Sequence, residues 1–409
     1  MFKIIGHSAR RMQRLGFLKY LVLNASTERP TTSSFIGDNL LRAVSRKFSV
    51  PINPEIIKYC DAIFSEQHYN DLRTRIKNAA FQQQQGKIDL ELQDIYLSQD
   101  RLPSKRGRIL AERGKDTHVF PALASSLGFF SSDTYVLTPR GKLFASTVSS
   151  DQGNAFGLLS NINPLIISSQ QMIVLLYSFL EADGDLIRML FPAIEPRNGQ
   201  FTDYEVGDII GDLLDKYLQK VEKSLTTMQD KSTFLKLKKT TMLIKDWKGK
   251  TYKGLGARDE WATLRLEPFV DMGIFKKVDK FGYKYSFTEG GQNLVSNLET
   301  SGNMDSFLND KYIKCVAQLL NTQISPEISS NEAIEILKES NRILANNIGY
   351  SDIIDTSILA AIRLLERGKV LEISDSIRIL KEAQRNNPYD IHFNIDRWGK
   401  LKYLSFRKI

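Results

Sequence analysis

Apolar residues recur at helical spacing in several parts of the chain. In Tyr204–Val221 the apolar positions lie three or four residues apart, which predicts one helix with a buried face. The same spacing predicts helices at Pro54–Phe64 and Tyr69–Phe81, so residues 1–98 are expected to be mainly helical. The strongly apolar segment Met172–Leu180 predicts a further helix with little exposed surface.

The last hundred residues are predicted to form helical pairs followed by a hairpin. Ser329 and Glu332 have the spacing of a capping box at the start of a helix. Amphipathic helices are expected at Asp355–Glu366 and Ser374–Gln384. In the tail, Ile391–Phe406, apolar and polar residues alternate on both sides of Gly399, which is typical of a hairpin.

Two segments, 119–146 and 261–298, share one pattern. Each begins with an amphipathic helix that ends at a glycine, continues with a strand, a polar turn and a second strand, and ends in Thr-x-x-Gly. The threonine is expected to cap the next helix, because its hydroxyl can accept a free N–H of the first turn. The matching positions are Gly128 and Gly273 at the helix ends, and Thr138 to Gly141 and Thr288 to Gly291 at the caps.

This order resembles a winged helix, in which a helix-turn-helix is followed by a two-stranded wing. As a tandem it is similar to the DNA-recognition half of type IIS restriction endonucleases of the FokI kind. The residues that carry the resemblance are Leu127-Gly128-Phe129, Met272-Gly273-Ile274-Phe275 and their Thr-x-x-Gly partners. The resemblance implies that the helix before each wing enters the major groove. No nuclease domain is recognised after the second copy, so only the recognition architecture is implied.

The expected fold is therefore α+β and helix-rich, with tandem winged-helix modules and helical N- and C-terminal regions. The predicted divisions are a helical region at 1–98, a first module at 99–160, a second module at 161–300 and a C-terminal helical region with a terminal hairpin at 301–409.

Charge adds a reason to expect a nucleic-acid partner. The chain has 409 residues with 56 Lys and Arg against 47 Asp and Glu, a net charge of +9. Arg101–Lys115 contains six bases and one acid, and Lys236–Lys253 contains seven bases and one acid. Each cluster lies just ahead of one copy of the repeat. Such clusters fit DNA, because each neutralised phosphate releases counterions, although solvated helix faces have the same composition.

Specific DNA contacts follow from these clusters and from the second wing. Thr263 and Arg265 are expected to face solvent and reach base edges, whereas Trp261 is expected in the core. Wing lysines are expected to contact phosphates. The predicted DNA-binding residues are Arg101, Lys105, Arg106, Arg108, Arg113, Lys115, Lys248, Lys250, Lys253, Arg258, Thr263, Arg265, Lys276, Lys277, Lys280 and Lys284.

The spacing of the candidate catalytic residues predicts no active site. Asp89 and Glu91 lack the lysine of a restriction-type metal site, and the four histidines do not have ligand spacing. Gly249-Lys250-Thr251 resembles the end of a phosphate-binding loop, but Ile244 stands where that motif requires glycine. We therefore predict a non-catalytic chain with no metal, cofactor or small-molecule ligand.

The predicted location is the cytoplasm. Two cysteines, Cys60 and Cys315, do not make a disulfide framework, which favours a reducing compartment. The longest unbroken apolar stretch, Met172–Tyr177, is far shorter than the ~20 residues that span a bilayer. The first 27 residues contain five bases and no acid, as organellar transit peptides do, but an apolar helical stripe around Leu18 and Leu21 continues without a processing site.

The first functional hypothesis is a double-stranded-DNA-binding subunit of a bacterial restriction or antiphage complex, which supplies recognition to a partner ATPase or nuclease. The alternative is an adaptor whose winged helices bind proteins, with the apolar helices at 306–321 and 355–366 as docking surfaces. An enzyme whose site assembles from distant residues is a third hypothesis.

Overall fold

A computed structural model describes residues 3–6, 15–23, 25, 119–132, 134–147, 167–195, 199–248, 257–278, 284–325, 328–387, 390–396 and 399–407. In these ranges the fold is α+β and helix-rich, with small antiparallel sheets. None of the described helices is both long enough and apolar enough to cross a bilayer. The predicted helices at Pro54–Phe64 and Tyr69–Phe81 lie outside the described ranges.

The described helices and strands are numbered here in chain order. The helices are α1 Phe17–Leu23, α2 Val119–Ser126, α3 Pro139–Ser146, α4 Ser169–Ile194, α5 Asp203–Val221, α6 Met228–Lys245, α7 Ala257–Asp271, α8 Glu289–Glu299, α9 Met304–Asp310, α10 Tyr312–Leu319, α11 Ser330–Leu344, α12 Ile353–Leu365 and α13 Ile373–Asn386. The strands are β1 Phe201–Thr202, β2 Phe275–Lys277, β3 Lys284–Phe287, β4 Ser351–Asp352, β5 Ile391–Ile395 and β6 Leu401–Phe406.

Side-chain caps explain where several helices begin. Thr202 accepts the amide N–H of Glu205 at 3.2 Å, and the Glu205 carboxylate accepts the amide of Thr202 at 2.7 Å, so a full capping box starts α5. At α11 only half of the predicted box forms. The amide of Glu332 donates to the Ser329 hydroxyl at 3.2 Å, but the Glu332 carboxylate pairs instead with Lys369 at 2.6 Å.

Two parts of the chain share one order of elements and one sheet topology. In the central unit, α4 to α8, a helix, a two-residue strand and further helices precede a hairpin, and the sheet order is β1-β3-β2. In the C-terminal unit, α11 to β6, the same sequence of elements gives the sheet order β4-β6-β5. The central unit has one extra helix, α6, between its second helix and the helix before the hairpin. The sequence predicted the C-terminal hairpin but not β4, which makes its sheet three-stranded.

The repeated segment has the same backbone hydrogen bonds in both copies. Gly128 and Gly273 adopt φ of 77° and 73°, as expected for left-handed residues that end a helix. In the first copy the amide of Thr138 donates to Phe129 O at 3.0 Å, and in the second Thr288 donates to Ile274 O at 3.0 Å. The predicted first hairpin is reduced to a single bridge between Phe130 and Leu137.

The Thr-x-x-Gly caps also match the prediction. The hydroxyls of Thr138 and Thr288 accept the amide N–H groups of Gly141 and Gly291 at 3.1 and 3.0 Å. Each glycine lies directly against the backbone of the residue that follows the helix-ending glycine. A Cβ atom at Gly141 would be 2.3 Å from Phe129 O, and one at Gly291 would be 2.2 Å from Ile274 O. The motif therefore combines a cap with a close approach that only glycine allows.

Replacing Thr288 with alanine is expected to lower the free energy of unfolding by about 1 kcal/mol, because the first turn of α8 loses its side-chain cap. Urea denaturation checks the change. Thr288→Ser keeps the hydroxyl and is the matched control, so equal losses in both variants would contradict the capping role.

One hydrophobic cluster connects most of the described chain. It joins Ile4 and Ile5 of the N-terminal segment to α2, α3 and the helices of the central unit, and it extends to Ile373. A second cluster, from Ala333 to Leu404, fills the C-terminal unit. The helices at 306–321 and 355–366, which the adaptor hypothesis offered as docking surfaces, contribute Phe307, Ile358 and their apolar neighbours to these cores. Their apolar faces are therefore already covered.

Candidate nucleic-acid interface

The helix before the β2–β3 hairpin, α7, is buried on all sides. Trp261 is in the core, as predicted, but the expectation that Thr263 and Arg265 face solvent is wrong. Arg265 is 0% exposed. Its Nε lies 2.8 Å from Oδ2 of Asp183, its Nη2 donates to Oδ1 of Asp183 at 2.9 Å and to Ile5 O at 2.8 Å, and its guanidinium lies 4.4 Å from the Trp261 ring centroid. It therefore joins α7 to α4 and to the N-terminal segment.

Arg258 and Thr263 are also held inside the protein. Arg258 donates to Asp259 at 3.0 Å and to the carbonyl oxygen of Trp247 at 2.9 Å, and its guanidinium lies 4.8 Å from the Tyr204 ring. The Thr263 hydroxyl donates to Asp259 O at 2.7 Å. The prediction that these side chains contact DNA is wrong for this structure, because they are buried in hydrogen-bonded positions.

The described part of the β2–β3 hairpin, which the sequence predicted as the second wing, has one buried lysine and two accessible ones. The Lys277 side chain is 5% exposed and pairs with Glu267 at 2.7 Å, and Glu267 also accepts the Tyr285 hydroxyl at 2.7 Å. A phosphate contact from Lys277 is therefore excluded here. Lys276 and Lys284 are exposed on the outer face of the sheet and remain candidates. Lys280 lies outside the described residues.

The basic cluster ahead of the second copy is partly neutralised by acids of α5. Lys248 pairs with Asp212 at 2.7 Å, and Lys245 pairs with Asp215 at 2.7 Å. Both pairs are half-exposed, so the lysines are accessible but already have carboxylate partners. Among the predicted contacts, Lys250, Lys253 and the first cluster, Arg101, Lys105, Arg106, Arg108, Arg113 and Lys115, lie outside the described residues.

The C-terminal unit offers an accessible helix that the sequence analysis did not single out. In its order of elements, α13 corresponds to α7. Only one side of α13 is buried, through residues such as Ile373, Ile379 and Leu380. The opposite side exposes Lys381 and Arg385, which are one turn apart. Neither forms an ion pair with a described carboxylate.

The hairpin after α13 adds further cations. Lys400, Lys402 and Arg407 are exposed on or beside β6. The side-chain amide of Gln384, in the last turns of α13, donates to Ile391 O at 3.1 Å and so ties the helix to the hairpin. The sequence contained a signal for this unit, since both the amphipathic helix and the hairpin were predicted. The two-residue strand β4 was the part that gave no periodic pattern.

Arg378 is the exception on the accessible side of α13. It donates to Asp375 at 2.8 Å and to Glu382 at 3.5 Å, and both acids are on the same helix. These hydrogen bonds and charges raise the pKa of Arg378 above its ordinary value. Its charge is therefore balanced locally, and we do not count it among the candidate DNA contacts.

Two buried ionisable groups, Cys315 and Glu372, lie close together near the start of α10. Burial, together with the nearby Glu372 carboxylate, raises the pKa of the Cys315 thiol to about 12, so the thiolate form is scarce at neutral pH. Glu372 itself accepts the amides of Ile313 and Lys314 at the start of α10, at 3.0 and 2.9 Å. Within the described ranges no three His, Cys, Asp or Glu residues lie together as a metal site would require.

A cavity of about 420 Å³ lies between the start of α4 and the end of α12. Among the described lining residues Glu366 is the one ionisable group, and it accepts a hydrogen bond from the Gln170 side chain. The rest of the lining is hydroxyl or aliphatic, as at Thr147, Ile173 and Leu365. Among the described lining residues there is no histidine, lysine or cysteine, and the accessible cations of the C-terminal unit are the stronger candidate site.

No protein family, curated protein or solved structure matches this chain in the comparisons made with each.

Proposed function

We propose that the chain is a non-catalytic subunit that binds double-stranded DNA and lends this recognition to a partner ATPase or nuclease, in a bacterial restriction or antiphage system. The observation that carries DNA binding is the C-terminal unit. It has the order helix, strand, helix, helix, hairpin with the first strand beside the last, as in a winged helix, and its third helix is accessible and basic.

The dimensions of α13 suit the major groove. The helix has 14 residues, which is about 21 Å of axial length, and the groove of B-DNA is about 12 Å wide and admits one helix. Lys381 and Arg385 then point to one side, where they can reach a phosphate or a guanine edge. Lys400, Lys402 and Arg407 on the hairpin supply contacts that set the register of the helix.

The central unit contributes to DNA binding in a different way from the one its sequence suggested. Because α7 is covered, it cannot enter a groove while the fold is intact. The exposed Lys276 and Lys284 supply non-specific phosphate contacts from the outer face of the second wing. Base recognition is therefore assigned to α13, and the second wing adds affinity that does not depend on sequence.

The variant Lys381→Gln with Arg385→Gln tests this function. We expect roughly tenfold or greater loss of duplex affinity at ~0.1 M salt. Each cation that neutralises a DNA phosphate releases counterions and so favours binding, and this variant has two such cations fewer. The slope of log affinity against log salt should become shallower by about 2. Fluorescence anisotropy with a labelled duplex over a salt series measures both quantities.

The matched control is Lys216→Gln with Lys220→Gln on α5, which removes two exposed cations at the same helical spacing. It should leave duplex affinity close to that of the wild type. If the wild-type protein does not bind duplex at low salt, the DNA proposal fails and the adaptor hypothesis takes its place. Equal losses in both double variants would mean that α13 has no special role.

A further inference from the structure

Helix α6 exposes an apolar stripe that no described part of the chain covers. Met228, Leu235 and Met242 are 81%, 64% and 63% exposed and follow one another at intervals of seven residues. Leu243 adds a fourth exposed apolar side chain beside the stripe. Residues seven apart lie on nearly the same line along a helix, since two turns contain about seven residues.

The concentration of these side chains is unusual for a solvated helix. Four of the ten large apolar residues that are exposed in the described chain belong to α6. The opposite side of the helix is packed normally, with Phe234, Leu237 and Ile244 buried against α5 and α7. The outer stripe therefore does not result from poor docking of α6. Along it the apolar side chains alternate with lysines three or four residues further on, such as Lys231 and Lys239, and exposed apolar side chains rimmed by polar ones are typical of an interaction site.

The place of α6 in the fold supports this interpretation. In the C-terminal unit only residues 366–372 separate the second helix from the third. In the central unit residues 222–256 separate them, and α6 is part of this longer connection. The shared topology does not require α6, so the helix is an addition that covers α7 on one side and presents a new surface on the other.

Charge around the stripe indicates the kind of partner. Three lysines are exposed and form no ion pair with a described carboxylate: Lys231, Lys236 and Lys239. Lys238 differs from them, because its Nζ lies 3.9 Å from a carboxylate oxygen of Glu222. An occupant that matches this surface has apolar side chains along its centre and carboxylates on its flanks. A second copy would bring the same lysines face to face in a two-fold interface, and like charges disfavour that arrangement.

We propose that the outer face of α6, defined by Met228, Leu235, Met242 and Leu243 with its flanking lysines, docks an acidic amphipathic helix of a partner protein. The apolar anchors of the partner lie along the stripe, as in other complexes in which a helix packs through positions i, i+3, i+4 and i+7. Two of the four anchors are methionines, whose flexible side chains adapt to a partner surface. Binding at α6 does not require DNA binding by α13.

The test uses the full-length chain and a synthetic peptide of about 18 residues, the length of α6. The peptide has leucine along one helical stripe and glutamate on both flanks. A scrambled peptide of the same composition and a peptide with lysine in place of glutamate are the controls. We expect the chain to bind the acidic amphipathic peptide at least ~10-fold more tightly than either control peptide, as measured by fluorescence anisotropy.

Two double variants separate the apolar and the charged parts of the surface. Leu235→Ser with Met242→Ser should weaken binding of the acidic peptide roughly tenfold or more, since two exposed anchors are lost. Lys236→Glu with Lys239→Glu should reverse the preference, so that the lysine peptide binds better than the acidic one. All four residues are exposed, so the fold should be preserved, and circular dichroism checks this.

Three outcomes would overturn the proposal. The first is equal binding of the acidic and scrambled peptides. The second is self-association of the wild type in sedimentation that Leu235→Ser with Met242→Ser abolishes, since the stripe would then pair with a second copy. The third is a loss of duplex affinity, without a change in peptide binding, in Lys236→Glu with Lys239→Glu. A failure of α13 to bind DNA leaves the peptide result unchanged, so the two proposals can fail separately.

Discussion

Replacing Arg265 with methionine is expected to lower the free energy of unfolding by about 3–5 kcal/mol, as is usual when one partner of a buried ion pair is removed. Both Arg265 and Asp183 are almost completely buried, at 0% and 1% of side-chain exposure. Methionine fills much of the volume of the arginine stem, so the loss comes mainly from the unpaired Asp183 carboxylate and from the carbonyl oxygen of Ile5, which loses its arginine donor.

The direction of the pH dependence follows from Asp183. Burial raises the pKa of this carboxyl above its usual value, and Arg265 opposes that rise. Without Arg265 the pKa rises further, so folded Asp183 takes up a proton more readily than unfolded Asp183. A raised folded-state pKa makes folding less favourable as pH increases through the shifted range. Arg265→Met should therefore be more destabilising above that range than below it.

Urea denaturation of the full-length chain measures the effect, and hydrogen exchange of the Ile5 amide reports on its local part. The Ile5 amide donates to Asp183 at 2.8 Å, so we expect it to lose protection in Arg265→Met. The control is Arg363→Met, which removes a half-exposed partner of Glu339 and should cost at most about 1 kcal/mol. Arg265→Met with Asp183→Leu removes both charges and should recover much of the stability.

The same variant distinguishes a structural from a DNA-reading role for Arg265. Under conditions in which Arg265→Met is folded, we expect its duplex affinity to equal that of the wild type, because the guanidinium is not accessible. A variant that keeps wild-type stability but loses duplex affinity would contradict the buried position and restore the role that the sequence suggested.

Local sequence patterns were sufficient to predict most of the elements and caps. Tyr204–Val221 and Ser374–Gln384 match helices α5 and α13 within two residues at each end, and the caps at Thr138 and Thr288 form as predicted. These features depend on residues three or four apart in the chain. Such spacings are visible in a single sequence because helix periodicity and capping are local properties.

The candidate site was not predictable in the same way, because its accessibility depends on distant segments. The polar residues of α7 look like a solvent face in the sequence, but Arg265 is covered by Asp183, which is 82 positions away, and by Ile5, which is 260 positions away. No local spacing reveals such partners. For the C-terminal unit, the missing feature was the two-residue strand β4, which is too short to show an alternating pattern.

Replacing Arg140 with methionine is the second change with a large expected effect, about 3–5 kcal/mol of unfolding free energy at pH ~8. Arg140 is the second residue of α3 and lies inside the first Thr-x-x-Gly motif. Its Nε donates to Asp355 of α12, its Nη1 donates to Glu181 of α4 at 3.0 Å, and its guanidinium lies 4.8 Å from the Tyr177 ring. It thus connects the repeat to the helices on either side.

The pKa of Asp355 is raised to about 6 in the folded protein. Burial is the largest cause of this rise, Arg140 opposes it, and the negative charges of Asp352 and Glu181 add to it. In an unfolded chain the pKa of an aspartate is about 3.9. The folded state therefore holds this proton more tightly than the unfolded state, and stability falls as pH increases from about 4 to about 6. Removing Arg140 raises the pKa of Asp355 in the folded state above 6. The pH range in which the free energy of unfolding falls therefore extends to higher pH.

The loss of stability in Arg140→Met, relative to the wild type, should therefore be smaller at pH 5, where Asp355 is protonated, than at pH 8, where the buried carboxylate has lost its strongest partner. Urea denaturation at both pH values measures the difference. Adding Asp355→Asn to Arg140→Met should remove most of the difference, because the side chain at 355 then stays neutral at both pH values. A loss that is the same at pH 5 and pH 8 would instead attribute the effect to the contact of the guanidinium with the Tyr177 ring.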